Sequence, residues 1–312
     1  MKFDVFKGFE DHLENYELLA HGTPEQIAFA GARQQKMLKG QPITDVSFED
    51  IYIDRPEAPK SLRLRICRPN SAEGTLPIVL DIHGGGFVAG SPEIDDFRNS
   101  LLAKGIPAIV VSVEYRLASE DCKFPIPLLD CYEALKWLSK YGDTIGGDKT
   151  NIGIHGTSAG GALAGGVTLY ARDNDGPKIK LCALVNPELT GVKTISTYQN
   201  DRFALEDYSD WNNTILRKYL GNLNGSQPSY YAYPAYCPVL YGLPPMVVIG
   251  AEYDPLRDDA VRFANRLYDE GVPCELIVAP RVGHGFATVD TELTDWVMQG
   301  ICMAYRMEFE KK

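Results

Sequence analysis

A serine stands between glycines at residues 156–161, where the chain reads GTSAGG after the strand-like run NIGIH. Gly156, Ser158 and Gly160 fit G-x-S-x-G, a tight turn from a strand into a helix that leaves the serine hydroxyl exposed. The glycines are needed because a Cβ at either position would collide with the adjoining strand or helix. The spacing therefore predicts a nucleophilic Ser158 at the carboxyl end of a strand, where open parallel sheets bind their ligands.

A serine hydroxyl needs a neighbouring base to react at neutral pH, and the chain contains five histidines. His284 is the candidate, because RVGHGF is a glycine-flanked loop directly after the last strand-like run. His12 and His21 fall in an N-terminal region that precedes the strands. We interpret His155 as locally packed or hydrogen-bonded and His83 as an anchor of its loop, since each adjoins the end of a strand.

The base in turn needs an acid that orients it, expected at the end of a strand between the serine and the histidine. Asp254, in GAEYDPLRDD, follows the apolar run MVVIG and fits this position. Asp258 and Asp259 remain alternatives, although both also suit the first turn of the following helix. The candidate triad is thus Ser158, Asp254 and His284.

Three consecutive glycines, Gly84 to Gly86, follow a histidine in DIHGGGF. Attack on an ester carbonyl creates an oxyanion, which backbone N–H groups can stabilise. We expect the N–H groups of Gly85 and Gly86 to do this, with the N–H of Ala159 completing the oxyanion hole from the nucleophile's side. Gly84 is expected to shape the turn.

Strand-like and helix-like segments alternate through most of the chain. Residues 62–68 alternate between apolar and polar side chains, whereas the later runs are short and almost continuously apolar, as in strands buried on both faces. These later runs are 78–83, 108–115, 151–156, 181–186, 246–254 and 274–280. The helix-like segments between them are 128–142, 159–174 and 258–271. The alternation predicts an α/β fold with a mostly parallel sheet covered by helices on both faces.

Two segments interrupt this alternation and are expected to form a helical cap over one 1–312 α/β domain. Residues 1 to about 45 contain helix-like pieces, and residues 188–235 run without a core strand. Long insertions of this kind commonly form lids or binding surfaces. The tyrosine-rich stretch 228–242 fits either a pocket wall or packing between cap and sheet, and packing is the favoured interpretation.

Composition limits the partners and the location of the protein. The net charge of −11 over 312 residues argues against nucleic acid or an anionic membrane as the main partner. The seven cysteines are scattered and never form a CxxC pair, so we interpret them as reduced thiols without a zinc site. With no signal-like or membrane-spanning segment, we expect a cytoplasmic protein. The oligomeric state stays open, a homo-oligomer included.

The sequence resembles the hormone-sensitive-lipase-like serine esterases of the α/β-hydrolase fold from about residue 50 to its end. The resemblance rests on the motifs HGGGF, VEYRLASE, FPIPLLDCYEALKWL, GTSAGG, DPLRDD and HGF, which occur in the family's order. It implies a carboxylic ester hydrolase with nucleophile Ser158, acid Asp254 and base His284, an HGGG oxyanion loop, a helical cap, and neither metal nor organic cofactor. Three positions depart from the family pattern, namely Thr157, Ser119 and Asp259, and they put only the geometry of nearby loops in doubt.

The expected function is hydrolysis of small short-chain acyl esters through an acyl-enzyme. A deacetylase or amidase of the same family is the nearest alternative, and it would need stronger protonation of a leaving nitrogen. The family also resembles plant hormone receptors in which the triad histidine is replaced, but His284 is present here. A lipase acting at oil–water interfaces has little support from an acidic chain without an apolar anchor.

Overall fold

An eight-stranded sheet forms the centre of the computed structural model. The structure describes residues 4–12, 14, 25–26, 29, 33, 43–55, 61–192, 194–196, 216–223 and 226–311. The strands are β1 (Val46–Ile53), β2 (Leu62–Pro69), β3 (Leu76–Ile82), β4 (Ile109–Val113), β5 (Gly147–Thr157), β6 (Cys182–Val185), β7 (Met246–Ala251) and β8 (Cys274–Ala279). Their order is β1-β2-β4-β3-β5-β6-β7-β8, with β1 and β2 antiparallel and β3 to β8 parallel. The predicted α/β class is confirmed.

The burial of each strand follows its sequence pattern. Strands β4, β6 and β7 are buried along their whole length, as expected for continuous apolar runs between two layers of helices. Strand β1 was not anticipated by the sequence analysis. It is an edge strand whose side chains are mostly exposed or half-buried, so VSFEDIYI lacks the apolar content that marks the inner strands.

Five α-helices cover the two faces of the sheet within the described ranges. They are α1 (Asp96–Gly105), α2 (Ile126–Tyr141), α3 (Ala159–Asp173), α4 (Arg257–Asp269) and α5 (Glu292–Phe309), joined by short 3₁₀ helices at Pro92–Asp95, Gly142–Ile145, Pro234–Tyr236 and Phe286–Thr288. Helices α2, α3 and α4 match the predicted segments, whereas α1 and α5 were not predicted. One apolar core includes side chains from α2, α3 and α4, and the other includes side chains from α1 and α5.

A buried polar cluster joins the three central strands just below the site. Asp81 on β3 is a register partner of Ser112 on β4 and of His155 on β5. Its carboxylate accepts hydrogen bonds from Ser112 Oγ at 2.7 Å and Asn99 Nδ2 at 2.9 Å, and lies 2.9 Å from His155 Nδ1. Burial opposes the charge of Asp81, but the hydrogen bond to His155 and the Arg98 guanidinium lower the pKa of that carboxyl below its ordinary value. The cluster stabilises the register between β3 and β5.

The two predicted cap segments fall only partly within the described ranges. Residues 1–3, 13, 15–24, 27–28, 30–32, 34–42, 193, 197–215 and 224–225 lie outside them. Of the rest, the N-terminal segment packs beside the loop after β8, with Phe6 N–H donating to Arg281 O at 3.0 Å. The ring of Tyr219, from the second segment, stacks on Phe87 with centroids 3.8 Å apart. The boundaries of the cap stay a prediction.

All seven cysteines are free thiols, and five of them are buried. Within the described ranges, no helix combines the length and the apolar character needed to cross a bilayer.

Candidate active site

Ser158 lies on the turn between β5 and α3, in a backbone conformation that only close packing can hold. Its φ of 58° and ψ of −122° are unfavourable for a residue with a side chain. A Cβ on Gly156 would lie 2.2 Å from the carbonyl oxygen of Gly160, and a Cβ on Gly160 would lie 2.0 Å from that of Ile82. The glycines at these positions therefore permit the turn that exposes the Ser158 side chain.

The structure brings Ser158, His284 and Asp254 into one hydrogen-bonded chain. His284 Nε2 lies 2.9 Å from Ser158 Oγ, and His284 Nδ1 lies 2.9 Å from Asp254 Oδ2. The imidazole stands on the loop after β8, as the glycine-flanked sequence predicts. This loop is held from behind by His12, whose Nε2 lies 3.1 Å from the backbone oxygen of His284.

Asp254 is fully buried and its carboxylate is oriented by two further donors. Asn186 Nδ2 donates to Oδ2 at 2.6 Å, and the N–H of Leu256 donates to Oδ1 at 2.8 Å. Asn186 was missed by the sequence analysis, although it follows the apolar run of β6 at the carboxyl edge of the sheet. Its φ of 47° lies in the left-handed region that asparagine tolerates better than most residues.

The two alternative acids, Asp258 and Asp259, form hydrogen bonds with the segment after β6. Asp259 accepts hydrogen bonds from the N–H groups of Leu189 and Thr190 at 2.8 and 2.9 Å. Asp258 accepts one from the N–H of Ser196 at 2.9 Å. Both aspartates therefore tie the segment after β6 to the start of α4.

The surroundings of His284 stabilise its protonated, charged form. Burial alone lowers the pKa of His284, but the charge and hydrogen bond of Asp254, with a further contribution from Glu188, raise the pKa above its ordinary value. The neighbouring His12 behaves in the opposite way, since burial lowers its pKa to about 4. His12 is therefore a neutral support at neutral pH.

The glycine loop after β3 lies directly against the nucleophile's turn. A Cβ on Gly84 would lie 3.0 Å from the backbone oxygen of Thr157 and 3.3 Å from Ser158 Cβ. Gly85 has a φ of 122°, and a Cβ there would lie 2.1 Å from the backbone oxygen of Ala89. Both glycines are thus required by close contacts.

The N–H groups predicted to bind the oxyanion donate no hydrogen bond to another group of the described structure. Among the described residues, the backbone N–H groups of Gly85, Gly86 and Ala159 have no recorded hydrogen-bond partner. His83 anchors the loop from below: its Nδ1 lies 2.8 Å from Gly84 O and its ring stacks on Tyr115 at 4.3 Å. Within the described residues, these three N–H groups are thus not used by the protein itself.

A large cavity lies against the described part of the second cap segment. Its volume is about 1140 Å³, and its walls include Thr190, Gly191, Tyr233 and Tyr236. Tyr233 is fully buried and meets Phe87 of the glycine loop edge-on at 6.4 Å. The tyrosine-rich stretch thus contributes both to packing and to the wall of the cavity.

In the part of the chain that the structure describes, no cluster of three or more His, Cys, Asp or Glu side chains has the arrangement of a metal site.

Comparison with known proteins places these features in a family. Residues 79–288 match a family model described as the alpha/beta hydrolase fold. The chain is 35% identical to esterase LipI of Mycobacterium tuberculosis, over 80% of this chain and 78% of the relative. It is 31% identical to an arylesterase of Saccharolobus solfataricus, with 76% of each protein covered.

Solved structures agree with the sequence relatives. A bacterial heroin esterase superposes with a TM-score of 0.82 at 31% identity, covering 92% of both chains. A hyperthermophilic esterase from the archaeon Pyrobaculum calidifontis gives a TM-score of 0.81 at 31% identity, covering 96% of this chain and 97% of that one.

Gly160→Ala is expected to damage the nucleophile's turn. The added Cβ would overlap the backbone oxygen of Ile82, so we expect destabilisation of ~1–3 kcal/mol and a fall in kcat/KM of roughly 100-fold as Ser158 shifts. The matched control is Gly300→Ala in α5, where the new Cβ would meet only Ile277 Cδ1 at 3.7 Å. The control should gain about 0.5–1 kcal/mol in urea unfolding and keep its activity, and equal behaviour of the two variants would contradict this account.

Proposed function

Since the chain belongs to the α/β-hydrolase family, among its hormone-sensitive-lipase-like esterases, and is a carboxylic ester hydrolase, we propose that Ser158, His284 and Asp254 carry out the reaction. The observation that carries this proposal is the hydrogen-bonded chain from Ser158 Oγ through both nitrogens of His284 to Asp254 Oδ2. No other described serine combines an exposed turn, a histidine and a buried aspartate in this way.

The first half of the reaction forms an acyl-enzyme. His284 Nδ1–H donates to Asp254, which leaves Nε2 as the acceptor for the hydroxyl proton of Ser158. Ser158 Oγ attacks the ester carbonyl, and His284 then gives the proton to the leaving alcohol as the carbon–oxygen bond breaks. Asp254 stabilises the imidazolium through its charge and its hydrogen bond to Nδ1. Asn186 and the N–H of Leu256 hold the carboxylate in the orientation that this requires.

The oxyanion of each tetrahedral intermediate is assigned to the N–H groups of Gly85, Gly86 and Ala159. Their lack of another acceptor among the described residues supports this role. In the second half of the reaction, water attacks the acyl carbon and loses a proton to His284. His284 then returns a proton to Ser158 Oγ as the bond between Oγ and the acyl carbon breaks, which releases the acid and restores Ser158.

Short acyl chains are the proposed substrates. Tyr219 stacks on Phe87 of the glycine loop and Tyr233 meets Phe87 edge-on, so these three rings form an aromatic wall beside that loop. Such a wall limits the depth of the acyl pocket. The proposal extends to a small-molecule ester as partner and to a cytoplasmic location, which is supported by the seven free cysteines.

Ser158→Ala is expected to abolish ester hydrolysis without unfolding the protein, because it removes only the nucleophile. Adding His284→Ala should reduce the residual rate little further, since residues that act as a unit are not additive. Initial rates on p-nitrophenyl butyrate and mass spectrometry after treatment with an organophosphate provide the measurement. Labelling of a serine other than Ser158 would falsify the assignment.

The pH dependence of kcat/KM should follow the free enzyme's His284. The imidazole must be neutral to accept a proton, and Asp254 favours its charged form, so activity should be lost as pH falls through a midpoint above about 6.5. The profile is measured from pH 5 to 9 with circular dichroism as a check on folding. A flat profile over this range in the folded enzyme is incompatible with a histidine base.

Acyl chain length provides a separate test of the pocket. Each buried CH₂ contributes about 0.8 kcal/mol, so kcat/KM should rise from acetyl esters until the pocket is full. Longer chains must displace the aromatic wall, at a cost of ~1–3 kcal/mol, and the rate should fall beyond about six carbons. A series of p-nitrophenyl esters from two to sixteen carbons shows the peak, and a steady rise to the longest chain would instead indicate a lipase.

A further inference from the structure

Glu188 is a buried acid beside the nucleophile that the mechanism above does not use. It lies three residues after the end of β6, and its backbone N–H donates to the carbonyl oxygen of Ser158 at 3.2 Å. Only 4% of the residue is exposed. Its main chain is therefore fixed to the nucleophile's own residue, and its carboxyl group is enclosed at the site.

The surroundings of Glu188 satisfy its carboxyl group only in part, through a side-chain hydrogen bond with Tyr233. The titratable groups that act on it are Asp259 at the start of α4, His284 on the loop after β8, and Tyr233 on the cavity wall. Burial and the charge of Asp259 raise the pKa of Glu188 to about 7, while His284 and Tyr233 oppose this rise. One oxygen, Oε1, is buried and has no hydrogen-bond partner in the described structure.

The unpaired oxygen of Glu188 lacks a hydrogen-bond donor, and its place beside Ser158 indicates where that donor could come from. Buried polar atoms in proteins almost always have a partner, and an exception at a functional site needs an explanation. Glu188 is a neighbour of both groups that an ester would meet, since its N–H donates to the carbonyl oxygen of Ser158 and its charge contributes to the raised pKa of His284. Tyr233 both bonds to the side chain of Glu188 and lines the cavity, so it connects the two.

We propose that Glu188 is a specificity-determining residue whose free carboxyl oxygen accepts a hydrogen bond from a hydroxyl or ammonium group of the substrate, an inference that rests on the proposed esterase function. The preferred substrates are then polar esters that carry such a donor near the scissile bond. A site built around a hydrogen bond discriminates strongly against an analogue that lacks the donor, because the buried acceptor is left unpaired.

Two pairs of matched esters test this substrate class. In the acyl pair, the p-nitrophenyl ester of 3-hydroxybutyrate is compared with that of its isostere 3-methylbutyrate. In the alcohol pair, 2-(dimethylamino)ethyl butyrate, which is cationic at neutral pH, is compared with 3-methylbutyl butyrate. The ratio of kcat/KM within each pair is measured for the wild type and for Glu188→Leu, Glu188→Met and Glu188→Gln. Glu133→Gln on the outer surface of α2 is the control for loss of a carboxylate.

The wild type should prefer the polar member of at least one pair by about tenfold or more, and the apolar variants should lose that preference. Glu188→Gln identifies the donor: it keeps a preference for a hydroxyl, since an amide oxygen also accepts, and loses a preference for an ammonium group. Two apolar variants are made so that the test remains valid if one of them does not fold. Thermal unfolding shows whether each variant is folded.

Ratios that stay within about twofold of the wild type in both pairs, in a folded apolar variant, would overturn the inference. A wild type that prefers the apolar member of both pairs would overturn it as well. Either result leaves the esterase function intact, because the apolar esters are still hydrolysed. Failure of the proposed function differs from both, since the wild type would then hydrolyse none of the four esters.

Discussion

The close approach of helix α3 to the carboxyl ends of β3 and β5 is the constraint on which the active site depends. Ser158 holds an unfavourable backbone conformation, which costs of order 1–3 kcal/mol and persists only where its surroundings determine it. Its N–H donates to Val185 O at 2.9 Å, and its carbonyl oxygen accepts from Gly161 and Glu188. Neighbouring elements thus hold both backbone groups of Ser158, and its hydroxyl lies 2.9 Å from His284 Nε2.

The same constraint explains why a charged cluster is buried beneath the site. The glycine loop with the proposed oxyanion donors follows β3 and the proposed nucleophile Ser158 follows β5, so their separation depends on the register of these two strands. Asp81 and His155 are register partners and bond to each other at 2.9 Å in the interior. Because a slip of one residue would turn every side chain of a strand to the opposite face, it would remove Asp81 from His155, Ser112 and Asn99 together. The cluster therefore selects the register that the site needs.

The sequence alone predicted those parts of the molecule that are determined by residues close together in the chain. The glycine spacing around Ser158, the position of Asp254 after a strand and the glycine-flanked loop of His284 can be read directly from the chain. Helix α1 was missed because its buried side includes Arg98, Asn99 and Ser100, whose burial depends partly on partners in other elements. Asn186 and Glu188 were missed for the same reason. The partner of Asn186 is Asp254, in the loop after β7, and the neighbours of Glu188 come from α4 and the loop after β8.

His284, the proposed base, lies near two carboxyl groups whose surroundings differ. Asp254 accepts hydrogen bonds from Asn186, the N–H of Leu256 and His284, so both of its oxygens are used within the protein. Glu188 is enclosed with one oxygen unpaired, and burial raises its pKa to about 7. Groups that share a site but have different environments commonly take different roles. The fully bonded carboxylate can orient the base but cannot bind a ligand, whereas the incompletely bonded one retains that capacity beside the reacting serine.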